Sequence, residues 1–233
     1  RRQKLLDLKE RIRKSGFPVH ENYPGPREFG QAVLDDLTAV INELFPQGSG
    51  LDPLDREAFE HEVFAASRGQ VYIGRESYFD RLDAHARSQD EPLVVLGESG
   101  SGKSALLANW AMKYRQEHPK ELVLMHFIGA TPGSADWTGM LRRVLGEFKR
   151  KFDLPGEVPD QADALRTAFV SGLEGISRSR RVVLVLDALN QLDDNNGAPD
   201  LLWLPSRIPG NVRIILSTLP GRALNELKQR RWP

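Results

Sequence analysis

The sequence predicts an α/β protein with a doubly wound, mainly parallel sheet, preceded by a small helical appendage. Three observations carry this. Four apolar runs, Leu93 to Leu96, Glu121 to Phe127, Arg181 to Asp187 and Asn211 to Thr218, alternate with amphipathic helical segments, which is the order of a βαβ protein. The third run, Val182-Val183-Leu184-Val185-Leu186, is continuously apolar, the pattern of a strand covered by helices on both faces. The first run opens into a glycine-rich turn and then a helix-forming stretch, Ala105-Leu106-Leu107-Ala108-Asn109-Trp110.

Composition bounds the answer. The chain has 233 residues, 40% hydrophobic and 27% charged, enough for one substantial core and an appendage. Lys plus Arg and Asp plus Glu stand at 32 each, so net charge points to neither nucleic acid nor an anionic membrane as partner. The absence of cysteine excludes disulfides, thiolate zinc sites and cysteine nucleophiles, and is compatible with a cytoplasmic location. No apolar run has the length of a membrane span. The chain begins Arg1-Arg2-Gln3, without Met, and is expected to be a piece of something longer.

Arg1 to Lys14 carries seven basic and two acidic residues, with Leu5, Leu6, Leu8 and Ile12 at near-helical spacing, and reads as an amphipathic helix with a solvated face. Ser15-Gly16-Phe17-Pro18 breaks it; residues 17 to 23 read as extended and Pro24-Gly25-Pro26 as a turn. From Arg27, the recurrence of Phe29, Val33, Leu37, Val40, Ile41 and Leu44 marks a second helix, ending before Pro46-Gln47-Gly48-Ser49-Gly50. Residues 1–50 are thus expected to be an adaptor or the tail of a preceding domain, 51–68 a linker helix, and 69–233 the main domain. In Val71-Tyr72-Ile73-Gly74-Arg75-Glu76, the backbone of Tyr72, Gly74 and Arg75 is a candidate for holding a nucleobase edge against an apolar side chain. A helix through Leu82 follows.

Gly97-Glu98-Ser99-Gly100-Ser101-Gly102-Lys103-Ser104 matches G-x-x-x-x-G-K-[ST] between a strand and a helix. Gly97, Gly100 and Gly102 allow positive φ and close approach of an anion, and the converging amides of residues 97 to Ala105 sit at a helix N-terminus, where unpaired N–H groups favour phosphate. Lys103 would reach the terminal phosphates and Ser104 would coordinate magnesium. Two rival motifs fail. Gly100-x-Gly102-x-x-Ala105 loosely fits a dinucleotide fingerprint, but the second strand ends in His126-Phe127 rather than an acid. Gly97-Glu98-Ser99-Gly100-Ser101 lacks the final glycine of a nucleophile elbow.

After the second strand, Thr131-Pro132-Gly133-Ser134 is expected to cap a helix from Ala135 to Lys151, and Gln161 to Ile176 forms the next. Asp187, an acid ending a buried strand after a phosphate loop, is the candidate magnesium ligand opposite Ser104. Beyond it, the positions best placed to activate water carry the amides Asn190 and Gln191. Asn190 or Gln191 could orient a water without taking its proton; Asp193 and Asp194 are the alternative bases, though a solvated acidic loop is the plainer reading of both. Thr218 or Ser217, ending the fourth strand, could bond the γ-phosphate or the water. Lys103, Asp187, Asn190 and Thr218 are therefore the candidate catalytic residues. Leu201 to Pro205 reads as loop and Gly221 to Arg231 as the last helix.

The stretches Tyr72 to Glu76, Gly97 to Ser104, His126-Phe127-Ile128-Gly129, Leu186 to Leu192, Trp203-Leu204-Pro205 and Leu216-Ser217-Thr218-Leu219-Pro220 together resemble the STAND class of P-loop NTPases with NACHT-like domains, nephrocystin-3-like. The resemblance implies strand order 5-1-4-3-2, ATP or GTP with Mg2+, and a switch reset by hydrolysis or exchange; ATP or ADP is the expected ligand, ahead of GTP. It further implies a winged helix and repeat superstructure as partner domains, and homo-oligomerisation on activation. The chain departs from NACHT domains in having amides at Asn190 and Gln191 where acids are usual, and Leu219 where an Arg is usual. The expected function is accordingly a slow nucleotide-hydrolysing regulatory switch; alternatives are a non-hydrolysing scaffold or a P-loop kinase of a small acceptor. No membrane or nucleic-acid partner is expected. No fifth strand is legible before Pro233, so the Leu93 to Leu96 strand is expected at a sheet edge.

Overall fold

In the computed structural model of the chain the described residues are 2–14, 25–44, 52–69, 76–131, 133–176, 180–230 and 232. The chain divides into two compact units, Arg1–Asp52 and Pro53–Pro233. The first holds α1 (Arg2–Arg13) and α2 (Pro26–Leu44). Proline at the first helical position of α2 and Glu28 in its first turn suit a helix start, where an N–H is surplus and the dipole favours an acid. The apolar positions Phe29, Val33, Leu37, Val40 and Ile41 that predicted α2 are solvent-exposed along one helical face. The break at 15–18 and the extended stretch at 17–23 lie outside the described residues.

The second unit runs α3 (Pro53–Arg68), α4 (Glu76–Arg87), β1 (Leu93–Leu96), α5 (Lys103–Glu117), β2 (Leu122–Phe127), α6 (Trp137–Phe152), α7 (Ala162–Ile176), β3 (Val182–Asp187), β4 (Val212–Thr218) and α8 (Arg222–Gln229). The four strands form one parallel sheet in the order β1-β4-β3-β2, the implied order without its fifth member. Phosphate-loop strand β1 stands at an edge of the described sheet, pairing Leu96 with Thr218, and Leu96 is 52% exposed.

Strand alternation divides the core into two layers. Val182, Leu184 and Leu186 of β3 with Ile214 and Leu216 of β4 pack beneath α6 and α7, among Trp137, Phe148 and Phe169. Val183, Val185 and Ile215 pack on the opposite face with Leu107, Trp110 and Tyr114 of α5 and Ala65 of α3. Full burial of such side chains contributes about 1.5–3 kcal/mol each, so the sheet core, not helix propensity, holds α5 in place.

One expected cap moves. Asp136, not the Thr131 to Ser134 turn, is the N-cap of α6, accepting from the amides of Thr138 and Gly139 at 3.1 Å each. Its carboxylate is the stronger cap for amides at the positive end of a helix, and Ser134 Oγ is already engaged with the Thr131 amide at 3.0 Å.

The free edge of β2 is covered by side chains. Val123, Met125 and Phe127 turn their backbone groups away from β3. Arg115 of α5 donates to Val123 O at 3.0 Å, Arg143 of α6 donates to Met125 O at 2.9 Å, and the Phe127 amide donates to His61 Nδ1 of α3 at 3.2 Å. Three helices thus satisfy an edge that would otherwise offer itself to another strand.

Candidate nucleotide and magnesium site

The loop between β1 and α5 has the backbone that its glycines permit. Gly100 has φ 75° and Gly102 has φ 85°, and Gly102 is the N-cap of α5 in the left-handed region. A Cβ at Gly97 would lie 2.8 Å from Ser101 Oγ, so a side chain there would crowd the turn. The Ser101 amide donates to Glu98 O at 3.2 Å, closing the loop, and the α5 ladder begins with Leu106 N–H on Gly102 O at 2.8 Å. The amides of Lys103, Ser104 and Ala105 precede that ladder and are the ones an anion at the helix end would meet. Glu98 and Ser99 are exposed, and Ser101, Lys103, Ser104 and Ala105 are half-buried.

Lys103 folds back over this loop. Its ammonium donates to Gly97 O at 2.7 Å and to Glu98 O at 2.9 Å. The positive charge therefore stands within the curve of the loop, held by neutral carbonyls that a phosphate oxygen would outcompete.

Asp187 ends β3 and is 2% exposed. Counting by twos from Val183 and Val185, its side chain falls on the sheet face that α5 covers, the face of Lys103 and Ser104. Its Oδ1 accepts from Ser217 Oγ, and the same hydroxyl accepts the Ala188 amide at 2.9 Å. Ser217 is thus the β4 hydroxyl that orients the acid. Thr218 is fully buried, lies on the alternate register with Ile214 and Leu216, and donates to Leu219 O at 3.1 Å. The expectation of a catalytic role for Thr218 is thereby corrected to Ser217: side chains alternate along a strand, so the neighbour of the residue that meets Asp187 faces the other side of the sheet.

The chain leaves Asp187 sharply. Ala188 adopts φ 66°, ψ 49°, a conformation that costs a non-glycine residue about 1–3 kcal/mol, and a short 3-10 turn, Leu189–Gln191, follows. Asn190 Oδ1 accepts the Leu219 amide at 3.2 Å, so this amide ties the turn to the end of β4. Asp193 and Asp194 are exposed, and Asp194 pairs with Arg222 at 2.9 Å. Tyr72, Gly74 and Arg75, the candidate base-binding residues, lie outside the described residues, as do Arg178 and Ser179 of the Arg178 to Arg181 cluster.

The residues present fit a magnesium ion: a hydroxyl at the start of α5 and an oriented, buried carboxylate on the same sheet face are the oxygen donors that the ion prefers. They fit a phosphate equally, through the amides of the loop and the Lys103 ammonium.

Sequence reasoning missed the polar cluster behind the site. His61 and His126 are wholly buried, with ring centroids 4.2 Å apart. Burial holds the His61 ring down at about 2, reinforced by His126 and Arg143. His126 is held at about 3, again chiefly by burial, with its bond to Ser134 O opposing and Arg143 adding. Both are neutral at physiological pH. A His within the second strand, His126, was the one visible signal, and its partner is 65 residues away in sequence.

Fold and site together define a nucleotide-binding domain of the P-loop NTPase type. The AAA ATPase domain family matches residues 72–215, and the chain belongs to it, as a NACHT-like member. It is 34% identical over 208 residues to human NACHT and WD repeat domain-containing protein 2, covering 84% of this chain and 12% of that protein. A TPR repeat-containing protein of Dictyostelium discoideum is 26% identical over 99% of this chain and 18% of its own length. Mouse nephrocystin-3 is 26% identical over 84% of this chain and 14% of its own length. The chain thus spans less than a fifth of each of these relatives. No described helix is long and apolar enough to cross a membrane.

Proposed function

We propose that the chain is the nucleotide-dependent switch module of a larger regulatory protein, binding ATP or ADP with Mg2+ and turning ATP over slowly. The observation that carries this reading is the Lys103 ammonium within the glycine loop at the N-terminus of α5, on the sheet face that also holds the buried, Ser217-oriented Asp187. Lys103 and the loop amides hold the β- and γ-phosphates; Ser104 and Asp187 hold the ion, which when bound neutralises charge on the phosphates. Tyr72, Gly74 and Arg75 are assigned to the base.

What stands after Asp187 supports slow turnover. Leu189 is buried, Asn190 is engaged with the Leu219 amide, and the nearest acids, Asp193 and Asp194, are exposed to solvent. An amide can orient water but not accept its proton, and loss of a general base costs about 10²–10⁴-fold in rate. The regulatory role rests on the TPR and WD repeats in the names of the relatives, which suit a switch set among repeat domains of the same chain; a winged helix, homo-oligomerisation on activation and a cytoplasmic location belong to the same reading. A non-hydrolysing scaffold is the second reading, favoured by the occupied Asn190 amide.

Isothermal calorimetry with ATP and ADP, with and without Mg2+, tests the assignment. Lys103→Ala is expected to weaken nucleotide binding at least about tenfold, the loss of a charge-assisted contact, while leaving the fold intact because the ammonium's present partners are loop carbonyls. Equal affinity for wild type and Lys103→Ala would overturn the site. Purified protein hydrolysing ATP at tens of turnovers per second, a typical unimpaired rate of about 10 s⁻¹ or more, would overturn the slow-switch reading.

A further inference from the structure

Glu57, His61 and His126 bring three metal-ligating atoms within 4.8 Å of one another. The chemistry of the donors argues against a metal there. A neutral imidazole has one lone pair to give, and His61 spends its own, at Nδ1, on the Phe127 amide, so Nε2 carries the proton and faces Glu57 Oε1 at 4.0 Å. His126 donates from Nε2 to Ser134 O at 3.0 Å, and its lone pair at Nδ1 meets the Arg143 guanidinium at 3.4 Å. Both lone pairs are taken and a fixed cation lies beside them.

What the cluster holds is the C-terminal end of β2. Phe127 is paired in register with Asp187. Its amide, turned away from the sheet, bonds His61; the next amide, Ile128 N–H, turns inward and donates to Asp187 O at 3.1 Å. Phe127 O accepts from Ala130 N–H at 3.1 Å, starting the turn through Gly129, which has φ 80° and lies against Gln191 of the 3-10 turn beyond Asp187. His126 secures the same loop one layer on, through Ser134, and Asp193 N–H donates to Ala135 O at 3.0 Å. Only the inward bond is part of the sheet ladder. The outward one comes from α3, a helix that the motifs of the site do not include.

We propose that His61 is a positioning residue for Asp187: by fixing the Phe127 amide it sets the strand end that holds the Asp187 backbone, and so tunes magnesium affinity at the nucleotide site from helix α3. The proposal rests on the nucleotide reading above. Helix α3 also meets the phosphate-loop helix, through Glu62 with Arg115 at 2.9 Å and Asn109 on Arg68 O at 3.4 Å. These contacts do not involve His61, so changing that side chain leaves the hold of α3 on the phosphate-loop helix in place.

The test is calorimetry of ADP on the full chain in EDTA and in Mg2+, for wild type, His61→Leu, His61→Asn and Lys103→Ala. Asparagine keeps an acceptor at the Nδ1 position; leucine does not. Groups that orient a metal ligand from behind are worth about 10–100-fold in metal affinity. His61→Leu is expected to lose about that much of the magnesium-dependent gain in ADP affinity with its affinity in EDTA unchanged, and His61→Asn to recover it. A folded His61→Leu with the full magnesium gain overturns the proposal. If His61→Leu does not fold, amide NMR of the ADP-loaded wild type decides: a shift of the Phe127 amide on adding Mg2+ supports the proposal, and no shift overturns it. Lys103→Ala binding ADP like wild type would instead remove the nucleotide reading itself.

Discussion

Lowering the pH from 7 to 5 is expected to destabilise the Pro53–Pro233 unit. The reason is the buried histidine pair. In the unfolded chain both rings titrate near 6.5; in the folded chain burial holds His61 at about 2 and His126 at about 3. A histidine whose folded pKa is depressed binds its proton preferentially in the unfolded state, so its contribution is complete above about pH 6.5 and declines as pH falls below that value. From pH 7 to 5 each ring loses about 2 kcal/mol, since one pK unit corresponds to about 1.4 kcal/mol. The two rings together give a ceiling of about 4 kcal/mol, a large share of a typical domain stability of about 5–15 kcal/mol. Neither ring charges in the folded chain over this range, so the loss comes from proton uptake on unfolding. Glu57 opposes the trend, because burial raises its carboxyl and protonating it favours the folded state. Urea denaturation at pH 7, 6 and 5 checks the sum, with His61→Asn as the control that removes one titrating ring. A midpoint that is constant or rises between pH 7 and 5 would refute the reasoning, as would an unchanged slope in the control.

Two further outcomes follow from backbone and edge geometry. Gly129→Ala is expected to cost about 1–2 kcal/mol for the left-handed conformation, lowering Tm by at least about 2–4 °C, because the nearest obstacle, the exposed amide end of Gln191, can turn aside; Gly100→Ala, with open space around its Cβ, is expected to show the same conformational cost. Scanning calorimetry of the two variants checks this, and a Gly129→Ala loss well above that of Gly100→Ala would show that Gln191 does not yield. The exposed edge of β1 is expected to promote self-association of the chain; Leu96→Lys should suppress it in light scattering, and a wild type that stays monodisperse at high concentration would count against this.

Sequence alone determined the parallel α/β architecture, because near-continuous apolar runs of strand length such as Val182 to Leu186, alternating with amphipathic helical segments, are the pattern of parallel strands covered on both faces. It also determined the phosphate loop, since Gly97, Gly100, Gly102, Lys103 and Ser104 lie within one local segment whose geometry depends on no distant contact, and Asp187 was legible as the acid at the end of a buried run. Tertiary structure decided what depends on pairing between distant segments. Whether Ser217 or Thr218 faces Asp187 is a matter of strand register, which a one-residue shift inverts. The cap of α6 fell to Asp136 because Ser134 was already engaged by its own turn. Least visible of all was the meeting of His61, Arg115 and Arg143 on the free edge of β2: three helices supply one side chain each, and only the folded chain brings their unlike polar groups to the backbone atoms that need them.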